Sequence, residues 1–270
     1  MRRKLLVFTD LDGTLLDHHT YSYEPALPAL AALKQIDADL ILASSKTAAE
    51  VAPLRAELGF AHCQAIVENG AGILRPFEVQ ADGLPGASHA RLLAALDSLP
   101  ETLRCQFVGF SDWTVEEISS RTGLPAARSA FAAQRQFTEP GQWCGDKAAF
   151  REFCSLLERK GVHVTRGGRF ATLTFGHSKA GRAIDMMHTC ESEGRSVLSV
   201  ALGDAPNDIE MIEAADIGII IANPDHAGIP DLPGERCGKI WRSGQAGPSG
   251  WNAEVLRLVD MIRKTEPGHG

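Results

Sequence analysis

The six cysteines form no C-x-x-C pair: Cys63, Cys105, Cys144, Cys154, Cys190 and Cys237 are widely and irregularly spaced. That pattern argues against a zinc knuckle or a redox dithiol and predicts free thiols, most of them buried, in a reducing compartment. Long basic runs are missing too; MRRK and RSGQAG are short and isolated, and the formal net charge is -7. Binding to nucleic acid or to a membrane surface therefore has little electrostatic support, although an acidic protein can still hold a locally positive site for a small anion. The apolar run Leu5 to Phe8 stops at Thr9 and Asp10, short of the roughly 7–15 residues of a secretion signal. No stretch approaches the roughly 20 apolar residues that cross a bilayer. These absences predict a cytoplasmic protein, monomer or homodimer, with neither nucleic acid nor membrane as partner.

What is present is an ordinary globular composition: 270 residues, 44% hydrophobic and 23% charged, enough for one large or two modest domains. Lys4 to Thr9 reads as a buried strand, Pro25 to Ile36 as a helix, ADLILASS as a second buried strand, TAAEVAPLRAELG as a helix closed by Gly59, and QAIVENGAGI as a third strand and turn. This β-α-β-α-β order predicts an α/β fold with a doubly wound parallel sheet. From about Phe77 to His177 the pattern changes to turns, two amphipathic helical stretches (Arg91 to Leu99 and Asp146 to Lys160) and a hairpin formed by GVHVTRGG and RFATLTFG. The α/β pattern resumes after Lys179 with SVLSVALGD and IGIIIANP as buried strands and NAEVLRLVDMIRK as a closing amphipathic helix. The predicted organisation is a core from residues 1–76 and 178–270 and an inserted α+β cap over 77–177.

Polar residues gather where the buried strands end: Asp10 with Asp12, then Ser44, Asn69, and Asp204 with Asn207 and Asp208. In open α/β sheets ligands bind just beyond those ends. Asp10 and Asp12 taken alone could cap a helix or close an Asx-turn. With Lys179, Asp204 and Asp208 following in order, a site is the better reading. One carboxylate can act as a nucleophile, and the next outward-facing one as acid and base. So many carboxylates repel one another and a phosphate unless a cation joins them; hard oxygen ligands beside a phosphate point to Mg²⁺. Ser44 and Lys179 are then the phosphoryl-binding groups, Lys179 adding positive charge as the transition state forms. Asn69 is a candidate substrate contact.

DLDGT, the strand-end Ser44, Lys179 and GDAPND, in that order, resemble the four motifs of haloacid-dehalogenase-type phosphatases. The resemblance implies that Asp10 forms an aspartyl-phosphate and that Asp12 protonates the leaving group and then activates water. It also implies that Asp10, the Asp12 carbonyl and Asp204 hold Mg²⁺, with Asn207 and Asp208 supporting them. SSKTAAE, VENGAGI, RQFTEPGQW and GGRF are further similar to the mannosyl-3-phosphoglycerate phosphatase family. That implies 2-O-(α-mannosyl)-3-phosphoglycerate as substrate, a phosphorylated sugar-glycerate, and places Arg166, Gly167, Gly168 and Arg169 near its glycerate or sugar. Where the family often carries an aromatic residue and a histidine after GGRF, this chain has Ala171 to Leu173. Alternatives of the same chemistry are glucosyl-3-phosphoglycerate or another sugar phosphate as substrate, or phosphotransfer as in a phosphomannomutase. A non-catalytic phosphosugar-binding regulator is the alternative of a different class.

Overall fold

The computed structural model describes residues 3–167, 170–225 and 228–265. The chain divides into two compact units: Met1–Ser44, Glu57–Ala65 and Lys179–Gly270 form the first, and Ser45–Ala56 with Ile66–Ser178 the second.

In the first unit five strands lie side by side in the order Ile240–Ala246, Ile217–Ala222, Val197–Gly203, Lys4–Thr9 and Asp39–Ala43. All four pairings are parallel. The strand Lys4–Thr9 pairs Thr9 with Leu202 on one side and with Leu42 on the other. Its residues Leu5 to Thr9 are all buried, because helices cover both faces of a parallel sheet and leave no solvent side for alternation. The helices Leu27–Gln35, Lys179–Ser192, Ile209–Ala214 and Gly247–Thr265 belong to this unit. Trp251, on the last of them, is completely buried.

In the second unit four antiparallel strands run in the order Phe107–Gly109, Glu139–Trp143, Phe170–Thr174 and His163–Gly167. Successive strand residues face opposite ways. Ala171 and Leu173 join Phe107, Phe153, Leu157, Leu92 and Leu96 in one core, which the helices His89–Asp97 and Lys147–Glu158 supply. Asp146 caps the second of these through Ala148 and Ala149 N–H groups, both at 2.8 Å. On the other face Phe170 packs with Phe110, Trp113, Ile118 and Ala132, drawn partly from the helices Val115–Thr122 and Ala126–Ala132.

Residues 45–56 and 66–76, expected with the core, group with this second unit. The hydrogen bonds give the reason. Glu68, 1% exposed, accepts from the N–H groups of Gln136 (2.8 Å), Phe137 (3.2 Å) and Thr138 (2.8 Å) and from the Thr138 hydroxyl (2.6 Å). Thr47 donates to the Phe131 carbonyl and Arg135 to that of Ser45, each at 2.9 Å. Glu68 and Asn69 both hold left-handed backbone, φ +49° and +55°, a conformation that costs a non-glycine residue about 1 kcal/mol or more and persists only when its surroundings enforce it.

Candidate active site

Four polar residues of the first unit each immediately follow a parallel strand: Asp10 after Lys4–Thr9, Ser44 after Asp39–Ala43, Asp204 after Val197–Gly203 and Asn223 after Ile217–Ala222. Parallel strands end at one edge, so these residues share it. The Asp10 N–H donates to the Leu202 carbonyl at 2.9 Å. The chain then folds back through Thr14 N–H to Leu11 (3.2 Å) and Leu16 N–H to Leu11 (2.7 Å). Gly13 makes that turn at φ +81°, and a Cβ there would lie 2.5 Å from Asn223 Nδ2 and 2.8 Å from Asp204 Oδ2. Only glycine fits both the conformation and the space.

Asp10, Asp204 and Asp208 each present a carboxylate oxygen within 4.8 Å of the other two, at 9%, 2% and 0% exposure. Lys179, itself buried, donates to Asp10 Oδ1 at 2.6 Å and to Asp208 Oδ1 at 2.5 Å. Asp208 Oδ2 also accepts the N–H groups of Asp204 (3.3 Å) and Ala205 (3.2 Å). Asp204 is oriented from both sides, by the Thr14 hydroxyl on Oδ1 and by Asn223 Nδ2 on Oδ2, each at 2.6 Å. Asp10 Oδ2 accepts no hydrogen bond among the described residues.

One ammonium faces three carboxylates. Burial pushes the Asp10 carboxyl up to about 8, with Lys179 opposing the shift and Asp208 and Asp204 adding to it. Burial works against charge on Lys179, but Asp10 and Asp208 outweigh it and hold the ammonium above the ordinary lysine range. The centre is therefore short of positive charge, and its inward-facing groups are hard oxygen donors.

Asp12 is half-buried and pairs with Leu16 in the turn. Ser44 is 1% exposed, and Asn207 is exposed on the turn Pro206–Asp208. In the second unit, Asn69 is half-buried in its left-handed turn. Arg166 carries its guanidinium over the Phe150 ring, 4.8 Å from the centroid, because it shares a face with Val164 and the helix-packed core. Gly167 ends its strand opposite Phe170. Gly168 and Arg169 lie outside the described residues. Sequence reasoning missed Asn223, although the signal was the one that found Asp10 and Asp204: a polar residue directly after a buried apolar run.

Residues 7–140 match the haloacid dehalogenase-like hydrolase family. A curated relative from Persephonella marina, a glucosyl-3-phosphoglycerate/mannosyl-3-phosphoglycerate phosphatase, is 33% identical over 96% of this chain and 99% of its own. This chain belongs to the haloacid dehalogenase-like phosphatases. It is a phosphoric monoester hydrolase. Two solved structures share the fold of this family. One is a haloalkanoate-superfamily phosphatase from Bacteroides thetaiotaomicron (TM-score 0.65, 18% identity, 97% of this chain and 96% of that one). The other is a sucrose-phosphatase from Synechocystis (TM-score 0.57, 15% identity, 97% and 98%). In this phosphatase no helix among the described residues is long and apolar enough to cross a membrane.

Proposed function

We propose that the protein hydrolyses 2-O-(α-mannosyl)-3-phosphoglycerate to mannosylglycerate and phosphate, through an aspartyl-phosphate on Asp10 and with Mg²⁺ as cofactor. The observation that carries the chemistry is the buried Asp10–Lys179–Asp208 ion-pair network beside Asp204. The observation that carries the substrate is 33% identity, over 96% of this chain, to a glucosyl-3-phosphoglycerate/mannosyl-3-phosphoglycerate phosphatase.

The donor set fits a hard divalent cation: three carboxylates lie within 4.8 Å of one another, and the one lysine pairs with only two of them, Asp10 and Asp208. Asp10, Asp204 and the Asp12 carbonyl would hold Mg²⁺, supported by Asp208 and Asn207. The bound cation would offset the excess negative charge, so that Asp10 is ionised and a phosphate dianion can approach it.

Ser44 and Lys179 orient the phosphoryl oxygens. An Asp10 carboxylate oxygen bonds to phosphorus as the bond from phosphorus to the glycerate oxygen breaks. Asp12 gives its proton to that leaving oxygen. Asp12, now a carboxylate, takes a proton from water as the water oxygen attacks phosphorus. Phosphate leaves and Asp10 is restored. The second unit, with the cap assigned to residues 77–177, selects the organic part of the substrate. Asn69, Arg166, Gly167, Gly168 and Arg169 are its candidate contacts. Stacking on Phe150 leaves the N–H edge of Arg166 available to a carboxylate. All six cysteines are free thiols, but only Cys63 and Cys190 are buried, against the expected burial of most, and Cys105, Cys144 and Cys237 are exposed; the free thiols support a cytoplasmic setting.

Glucosyl-3-phosphoglycerate is the second reading, because the relative's name carries both sugars. Phosphate release with Mg²⁺ from the mannosyl and glucosyl esters, 3-phosphoglycerate and hexose phosphates separates the two. A clear preference for the mannosyl ester is expected. Equal or stronger glucosyl hydrolysis overturns the mannosyl assignment, and broad weak hydrolysis overturns both.

A further inference from the structure

Asp10 is fixed through its backbone as well as its side chain. Its N–H is held by the neighbouring strand at Leu202. Its carbonyl oxygen accepts the Thr9 hydroxyl at 2.8 Å, and the Thr9 oxygen in turn accepts the indole N–H of Trp251 at 3.0 Å. Thr9 and Trp251 are both completely buried, so no water competes for either group. An indole nitrogen can only donate, and a hydroxyl has one proton. The direction of the relay is therefore fixed: Trp251 occupies the acceptor side of Thr9, and the Thr9 proton is committed to the Asp10 carbonyl.

We propose that Thr9 and Trp251 are positioning residues for the Asp10 carboxylate, acting through its main chain. This rests on Asp10 being the nucleophile. With both peptide groups of Asp10 pinned, the Cα–Cβ bond that carries the carboxylate has one direction. In-line attack on phosphorus tolerates little error in that direction, since misplacement by about 1 Å can cost up to about a hundredfold in rate. The relay also places a residue of the C-terminal helix Gly247–Thr265 in the support of a nucleophile more than two hundred positions earlier. Neither residue touches the substrate in this assignment. Their effect belongs to the chemical step and not to binding.

The test compares Thr9→Val, Thr9→Ser and Trp251→Phe with the wild type and with Asp10→Asn. The full chain is assayed with Mg²⁺ on p-nitrophenyl phosphate and on mannosyl-3-phosphoglycerate. Thr9→Val is nearly isosteric and removes the hydroxyl; it is expected to lower kcat about tenfold, with KM and competitive inhibition by inorganic phosphate unchanged within about twofold. Thr9→Ser restores the hydroxyl and is expected to recover kcat to within about twofold of wild type. Trp251→Phe keeps the Thr9 bond but loses the donor that directs it, so a smaller kcat loss of about threefold is expected. Wild-type kcat in a folded Thr9→Val overturns the assignment, as does a loss that serine fails to recover or one that falls on KM. Should Thr9→Val not fold, Trp251→Phe decides alone, and wild-type kcat there overturns it. Turnover by Asp10→Asn would instead remove the nucleophile reading itself, whatever Thr9 does.

Discussion

Each unit buries acidic side chains, and each treats them differently. In the second unit Glu68 is surrounded by neutral donors: three backbone N–H groups and one hydroxyl converge on it. In the first, Asp10, Asp204 and Asp208 crowd together with one lysine between two of them. Dipoles that point at a carboxylate replace its hydration and ask for nothing more. Packed like charges with too few counter-charges leave a centre that gains by binding a cation or a proton. The first arrangement holds a turn in place, and the second is the candidate site.

The comparison breaks most visibly at Asp10. Asp10→Asn is expected to fold normally and to lose roughly a thousandfold or more of the phosphate-release rate; wild-type-like release would falsify the aspartyl-phosphate reading. On the other side, Glu68→Ala strands three N–H groups and a hydroxyl. The expected loss in urea unfolding is about 3 kcal/mol or more, with the concentration of Mg²⁺ needed for half-maximal activity unchanged. A Glu68→Ala protein of undiminished stability would mean that the four hydrogen bonds carry little.

Asn223→Ala sharpens the contrast inside the first unit. It removes the Asn223 hydrogen bond to Asp204 and leaves that of Thr14, and about a tenfold weaker apparent Mg²⁺ affinity is expected from an activity titration. Unchanged affinity there would mean that the Asn223 hydrogen bond does not aim Asp204 for the cation. The smallest effect is one of pH. Metal-free, the folded protein holds the Asp10 proton up to about 8, whereas the unfolded chain releases it near 4. The folded state thus binds more protons between those values, and this group's contribution to stability falls as pH rises across that window. Mg²⁺ competes with that proton. The gain in thermal midpoint on adding Mg²⁺ to EDTA-treated protein is expected to be larger at pH 8 than at pH 5. An equal gain at both would mean that Asp10 is not protonated in the metal-free fold.

The first unit was largely legible because its strands are uninterrupted apolar runs with a polar residue straight after. Asp10, Ser44 and Asp204 stood out on that signal alone, and Asn223 obeys it as well. The second unit was less so. Glu68 meets Gln136 to Thr138 across about seventy residues, and nothing local marks such a pairing. The helix Val115–Thr122 did carry a mark, the reciprocal capping of Thr114 and Glu117, which the reading passed over. Period-two alternation from Val164 would likewise have put Arg166 on the helix-packed face.

The position of Lys179 has a consequence in time. The second unit ends at Ser178, and the next residue is the buried cation of the candidate site. A ribosome that has just added Ser178 has already produced Asp10, Asp12 and Ser44, but none of Lys179, Asp204 or Asp208. The strand Lys4–Thr9 then has its Asp39–Ala43 neighbour, while its other neighbour, Val197–Gly203, is still unmade. For that interval the nascent chain carries an unpaired edge on a strand whose residues Leu5 to Thr9 all become buried, a surface open to other strands. The second unit, whose strands and helices all precede Lys179, can complete its own pairings first. The strand made earliest thus waits longest for its second neighbour, although its first follows within about forty residues.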